Sequence, residues 1–249
     1  MSDQAPASTF PTIFAQFSSQ DFVIGGGVAI FHIASQRVVI CSAVDRRGRK
    51  YYFLPKGRRD AGEESGRGAE REGYEESGYR NRLLPLPTRH LQPQGYPRIA
   101  EPPLTAEPVW MQLMPVGHGK QYLLYWYIAE TLPPTLDQLL DSEVGDAYKP
   151  PHSYPPDLTL RNRIMMEPEG YEPVRHEGTG VDEEEQTYES YLLPLSEAIE
   201  RLGKTGVMAD VVQIGWRAIQ KRFADEGALD NENEPRGTGP RLQAKADLS

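Results

Sequence analysis

Three carboxylates carry the first chemical signal in the chain. In Arg71-Glu72-Gly73-Tyr74-Glu75-Glu76-Ser77-Gly78, the residues Glu72, Glu75 and Glu76 stand at i, i+3 and i+4, a spacing that puts all three on one face of a helix. Like charges so placed repel one another, and no basic residue is expected to lace them into salt bridges. A hard divalent cation resolves the conflict. Mg²⁺ takes oxygen ligands and divides its coordination among one or two carboxylates, water and substrate phosphate. Arg71 can orient a neighbouring carboxylate through its fork of donors. Just upstream runs Leu54-Pro55-Lys56-Gly57-Arg58-Arg59-Asp60-Ala61-Gly62-Glu63. Gly57 and Gly62 let this loop turn back, so that a backbone carbonyl such as that of Lys56 can face the same metal.

The spacing Gly57, five residues, Glu63, seven residues, Arg71-Glu72, two residues, Glu75-Glu76, one residue, Gly78 resembles the Nudix box, with all seven fixed positions present. The resemblance is tight from Gly57 to Tyr79 and looser in the strands upstream and in the stretch Tyr191 to Leu202. Two positions depart from the pattern: Gly73 stands where a bulky aliphatic residue is usual, and Glu70 where Leu is common. The Leu-Pro-Lys-Gly lead-in resembles the branch acting on diadenosine and diphosphoinositol polyphosphates. A solvated acidic face is the ordinary meaning of such a run, and the complete motif outweighs it.

Carried over position by position, the resemblance implies that Glu72, Glu75 and Glu76 hold Mg²⁺ or Mn²⁺, that the Lys56 carbonyl completes the ligand set, that Arg71 orients Glu72 and that Glu63 supports the site from the loop. It further implies hydrolysis of a diphosphate linkage in a nucleoside diphosphate derivative, dinucleoside polyphosphate or diphosphoinositol polyphosphate by a metal-activated water. Glu72 is one candidate base, and Glu183, Glu184, Glu185 or Glu189 could reach in from a late loop. Lys56, Arg58 and Arg59 are candidates for substrate phosphate contact, against the plain alternative of solvated loop cations. A second hypothesis is a binding module, its helix loosened by Gly66, Gly68 and Gly73, that holds a phosphorylated ligand or a protein partner without turnover.

These residues need elements to position them. Gly27 to Ile33 and Val38 to Val44 read as a hairpin, and Tyr51 to Leu54 as a third strand that Pro55 stops. Residues 65–77 read as a helix with Ser65 as N-cap and Gly78 in the left-handed conformation past its end. Val109 to Met114 and Tyr122 to Ala129 read as further strands, the second nearly continuous in apolar side chains and so central. Tyr188 to Leu193 reads as an added strand, followed by helical spacing over Leu195 to Leu202 and Val207 to Phe223. The expected fold class is α/β or α+β, an α/β/α sandwich around a mixed sheet.

Of the 22 prolines, 16 fall between Pro85 and Pro173, so that region is expected to be largely loop. Within it, residues 132–182 read as an insertion lying across a sheet edge or over a site. Residues 1–20 read as a flexible arm tacked down by Phe14 or Phe17, residues 21–225 as the domain, and 226–249 as a disordered tail. Gly25-Gly26-Gly27 is no dinucleotide fingerprint, since no helix follows it, and the histidines lack ligand spacing. Trp110, Tyr122, Trp126 and Tyr127 read as core.

Composition excludes whole classes. A formal net charge of −9 repels nucleic acid and anionic membrane, and no apolar run reaches the ~18 residues of a spanning helix. The expected partner is a phosphorylated small molecule. The single Cys41 forms no internal disulfide, which makes the cytosol or nucleus the expected compartment.

Overall fold

The computed structural model describes residues 14–93, 104–117, 119–142 and 148–233. The expectations for residues 1–13 and 234–249 lie outside the described residues, as does part of the proline-rich region. An eight-stranded mixed sheet is formed by β1 (Phe22–His32), β2 (Arg37–Val44), β3 (Lys50–Phe53), β4 (Lys56–Arg58), β5 (Asn81–Leu83), β6 (Trp110–Pro115), β7 (Gln121–Thr131) and β8 (Glu189–Pro194). Among the described residues five α-helices accompany it: α1 (Ser65–Ser77), α2 (Pro134–Ser142), α3 (Leu160–Met165), α4 (Leu195–Leu202) and α5 (Val207–Asn233).

The long central pair is β1 and β7, parallel from Phe22 opposite Gln121 to Phe31 opposite Glu130. The free edge of β1 is shared: β2 pairs with its C-terminal end and β4 with Gly25, Gly26 and Gly27. The chain leaves β3, passes Pro55 and reaches β1 as β4, which brings Lys56, Gly57 and Arg58 against the start of the central strand.

Alternation along β1 divides the core. Ala29 and Phe31 face Val211, Val212 and Ile219 of α5 and Ala198 of α4, whereas Val28 and Ile30 face Ala69 of α1. The expected sandwich of helices around a mixed sheet is therefore present.

The helix α1 spans residues 65–77 as expected and ends at Gly78, whose φ of 75° lets its N–H donate to the Tyr74 carbonyl. Its start is corrected. Glu64 occupies the N-cap without a side-chain cap, and Ser65 is the first helical residue, its hydroxyl hydrogen-bonded to the Tyr127 hydroxyl at 2.7 Å. The two departures from the motif explain each other. A Cβ on Gly73 would lie 2.6 Å from Nδ2 of Asn81 and 2.9 Å from Val28, and that Asn81 amide donates to the Glu70 carbonyl. The buried Glu70 carboxylate in turn accepts from the Leu83 N–H and from Arg67, each at 2.7 Å. A polar clasp to β5 thus replaces the usual aliphatic packing.

Residues 132–182 differ from the expected loop. They contain α2 and α3, the second capped by the Thr159 hydroxyl, and they add Tyr154 and Leu160 to the core. Proline permits this because Pro134 is the first residue of its helix, where no intrahelical N–H is needed. A buried chain of charges ties this region to the sheet: Arg82 and Arg163 each lie 2.7 Å from Glu130, Arg163 is 2.9 Å from Glu167, and Glu167 is 3.0 Å from His32. The tail expectation is also corrected, since α5 runs through residues 226–233. Phe14 and Phe17 do not tack the chain down, being 88% and 39% exposed. Among the described residues no helix is long and apolar enough to cross a membrane.

Candidate active site

The Glu72, Glu75 and Glu76 carboxylates lie on the buried side of α1 with less than a tenth of each residue exposed, yet they do not act as a trio. Glu72, Glu76 and Glu185 each bring one carboxylate oxygen to within 4.8 Å of the others. Glu75 is turned aside. Its carboxylate accepts from Nη1 of Arg71 at 2.7 Å, at i, i+4 spacing, so a basic residue does lace part of the acidic face. Arg71 also reaches Glu72 at 3.0 Å, grips Glu63 through Nε and Nη2 at 3.1 and 3.0 Å, and donates to the Arg58 carbonyl at 2.9 Å. One guanidinium therefore fixes the loop before α1 and two carboxylates on it.

Gly57 makes this closeness possible. A Cβ there would lie 1.9 Å from Oε2 of Glu72, so any side chain would displace the carboxylate. The Lys56 N–H donates to Oε2 of Glu76 at 2.7 Å, so the contact seen between Lys56 and the acids runs through its amide, where the sequence reading invoked its carbonyl. In an extended strand the N–H and C=O of one residue face the same edge, which leaves that carbonyl on the side of the carboxylates.

Glu185 is the residue that local reasoning could only name among several. It lies in the short 3-10 turn Glu185–Thr187. The segment leading to it is held across the end of α1: the His176 N–H donates to the Gly78 carbonyl at 2.8 Å, and the Thr179 hydroxyl to the Glu75 carbonyl at 2.9 Å. The end of the 132–182 region thus lies beside the acids. Glu189 goes elsewhere, pairing with Lys50 at 2.6 Å, and Glu183 is not among the clustered acids.

Burial pushes the carboxyl of Glu72 up to about 7, with Arg71 opposing and Glu75 and Glu185 adding repulsion. Burial pushes Glu76 up to about 8, against the nearby Lys56 charge and amide. Glu75 is raised for the same first reason, and Arg71 opposes. Burial also acts on Glu63, but the Arg71 bonds and the Asp60 N–H overcome it and hold the group below its ordinary value.

A cavity of about 940 Å³ opens on this cluster, lined by Glu72 and Glu185, by Lys56, Arg58, Arg59 and Arg71, and by Val23, Val116, Tyr122 and Val181. The cations expected to meet phosphate therefore share one space with the acids. Tyr122 packs against the core, as expected, and also lines that space. Burial, then the charges of Glu72 and Glu76, push its phenol upward. Trp126, by contrast, is fully buried, as expected.

The all-oxygen donor set and the burial of two carboxylates without a full complement of cations fit a hard divalent ion. A second acidic group, Asp137, Asp141 and His176, is already engaged by Arg80, 2.7 Å from Asp141.

No protein-family model matches the chain, and no curated protein matches it. Among solved structures it is similar to a NUDIX hydrolase from Nitrosomonas europaea, with 12% identity over 77% of this chain and 86% of that one and a TM-score of 0.39. It is similar to a C. elegans Ap4A hydrolase, with 14% identity over 83% of this chain and 98% of that one and a TM-score of 0.36. A MutT NUDIX hydrolase from Burkholderia pseudomallei shares 19% identity over 45% of this chain and 68% of that one, with a TM-score of 0.29.

Proposed function

We propose that this chain is a Nudix hydrolase that cleaves a diphosphate linkage with the help of Mg²⁺ or Mn²⁺. The observation that carries the reading is the meeting of Glu72, Glu76 and Glu185 within 4.8 Å beside a cavity that Glu72 and Glu185 line together with Lys56, Arg58 and Arg59. The complete motif from Gly57 to Gly78 supports it.

Each residue has a role that follows from its surroundings. Glu72 and Glu76 would hold the cation, joined by the Lys56 carbonyl and by Glu75 once it is released from Arg71. When bound, the cation lowers the pKa of a water and neutralises charge developing on the phosphate oxygens. Arg71 and Glu63 keep Glu72 in place. Arg58 and Arg59 hold the flanking phosphates by charge-assisted bonds. Glu185 comes from outside α1 and is not clamped by Arg71, so its carboxylate is the better placed to accept the proton of the attacking water; Glu72 is the other candidate. The substrate class follows the lead-in Leu54 to Gly57: a dinucleoside or diphosphoinositol polyphosphate, or another nucleoside diphosphate derivative.

The glycines of α1 do not favour the binding-module alternative. The helix is unbroken, and Gly73 marks close packing. The test is direct. Purified chain is incubated with dinucleoside polyphosphates, ADP-ribose and diphosphoinositol phosphates, with Mg²⁺ or with chelator. Products formed only with the metal support hydrolysis, whereas a panel left intact overturns it and favours binding without turnover.

A further inference from the structure

The glycine triplet at 25–27, unexplained by any nucleotide fingerprint, serves as a set of sockets. A Cβ on Gly26 would meet the backbone of α1, with the Ser65 carbonyl at 2.4 Å, and one on Gly27 would strike the Trp126 ring at 2.6 Å. These two positions admit core elements. Gly25 differs: a Cβ there would lie 2.2 Å from the hydroxyl oxygen of Tyr122 and 2.4 Å from its ring. The glycine holds open the place that the phenol fills.

That place is adjacent to the acids. In the antiparallel pairing, Gly25 and Gly26 stand opposite Arg58 and Gly57, and Gly57 is the residue that leaves room for Glu72. Strand alternation puts the two gaps on opposite faces of the sheet, one occupied by a phenol and the other by a carboxylate, and the two occupants meet in the cavity. Tyr122 lines the cavity with Glu72, Arg58 and Arg59, and its hydroxyl has no hydrogen-bond partner among the described residues. The other polar side chains lining this wall carry charge. A neutral O–H adds a directional donor without adding to the charge, and a phosphate oxygen is the acceptor that the cavity is built to receive.

We infer that Tyr122 is a substrate-binding residue whose hydroxyl donates a hydrogen bond to a non-bridging oxygen of the bound diphosphate. The inference rests on the reading of the cavity as a diphosphate site. Its role is to orient the ligand; no proton is transferred.

The test uses the full chain and methylenediphosphonate, a diphosphate analogue that is not cleaved, titrated calorimetrically in the presence of Mg²⁺. Tyr122→Phe removes one oxygen and keeps the ring in its socket, so an unchanged thermal melt is expected. Loss of a bond to a charged acceptor weakens binding by about tenfold. With any substrate that the wild type cleaves, KM rises by a similar factor while kcat stays within about twofold. An ultraviolet difference band on addition of the probe, present in the wild type and missing in the variant, reports the same contact without turnover. Equal affinity of the two proteins for the probe overturns the inference and leaves the hydrolase reading standing. A wild type that neither binds the probe nor cleaves any substrate overturns both.

Discussion

Two sets of buried carboxylates, one on the sheet and one on the helix packed against it, are treated in opposite ways. Glu130 is fully buried and has an arginine on each oxygen, Arg82 and Arg163, both at 2.7 Å. Glu72 and Glu76 are nearly as buried, yet they face each other and Glu185, with one arginine shared among Glu63, Glu72 and Glu75 and one backbone amide for Glu76. Burying a charge is costly unless it is paired. The first set has its counter-charges within the chain and joins α3 to the sheet. The second is complete only with a cation from outside. Buried charge alone therefore does not mark a site; the missing counter-charge does.

Substitutions should separate the two sets. Glu130→Gln leaves two arginines without a full partner and is expected to cost about 3–5 kcal/mol of folding stability, measured by urea unfolding. A loss under 1 kcal/mol would make the pair ordinary surface electrostatics. Glu76→Gln is expected to do the reverse, lowering turnover about 10²–10³-fold while leaving the urea midpoint unchanged or higher, because it removes repulsion. Full activity in that variant would mean that Glu76 is not a ligand.

Added cation sharpens the comparison. At a hundred times its dissociation constant, Mg²⁺ bound only to the folded chain adds about 2.7 kcal/mol, so the melting temperature should rise in the wild type and in Glu130→Gln. It should not rise in the double variant Glu72→Gln, Glu76→Gln. A rise there would place the ion elsewhere.

The pH profile carries the same contrast. Glu72 and Glu76 rise from 4.5 to about 7 and about 8 on folding, so between pH 4.5 and 8 the folded chain holds more protons than the unfolded one. Stability in chelator must therefore fall as pH rises through that window. Mg²⁺ or the double glutamine variant should flatten the slope. A profile that rises over the same range would show that these carboxylates are stabilised as anions by the protein alone.

What could be read in advance was what local geometry controls. The helical period places Glu72, Glu75 and Glu76 on one side of α1, the left-handed Gly78 ends that helix where expected, and apolar, β-branched or aromatic runs mark all the strands but the three-residue β4 and β5. Gly73 and Glu70 looked like flaws because their partners, Asn81 and Leu83, are local neither to the motif nor to its period. Proline content suggested loop across 132–182, although a proline at the first turn of α2 is compatible with helix.

The residues alone thus determined the chemistry available: carboxylates at helical spacing, an arginine beside them and a glycine loop ahead. Only tertiary structure decided which acids meet. It turned Glu75 towards Arg71, brought Glu185 from beyond the insertion to join Glu72 and Glu76, and set Tyr122 into the gap at Gly25. The reason is physical. Backbone hydrogen bonds and side-chain period act within a few residues, whereas these contacts depend on how β1, β4 and β7 stack against α1, and no spacing along the chain encodes that distance.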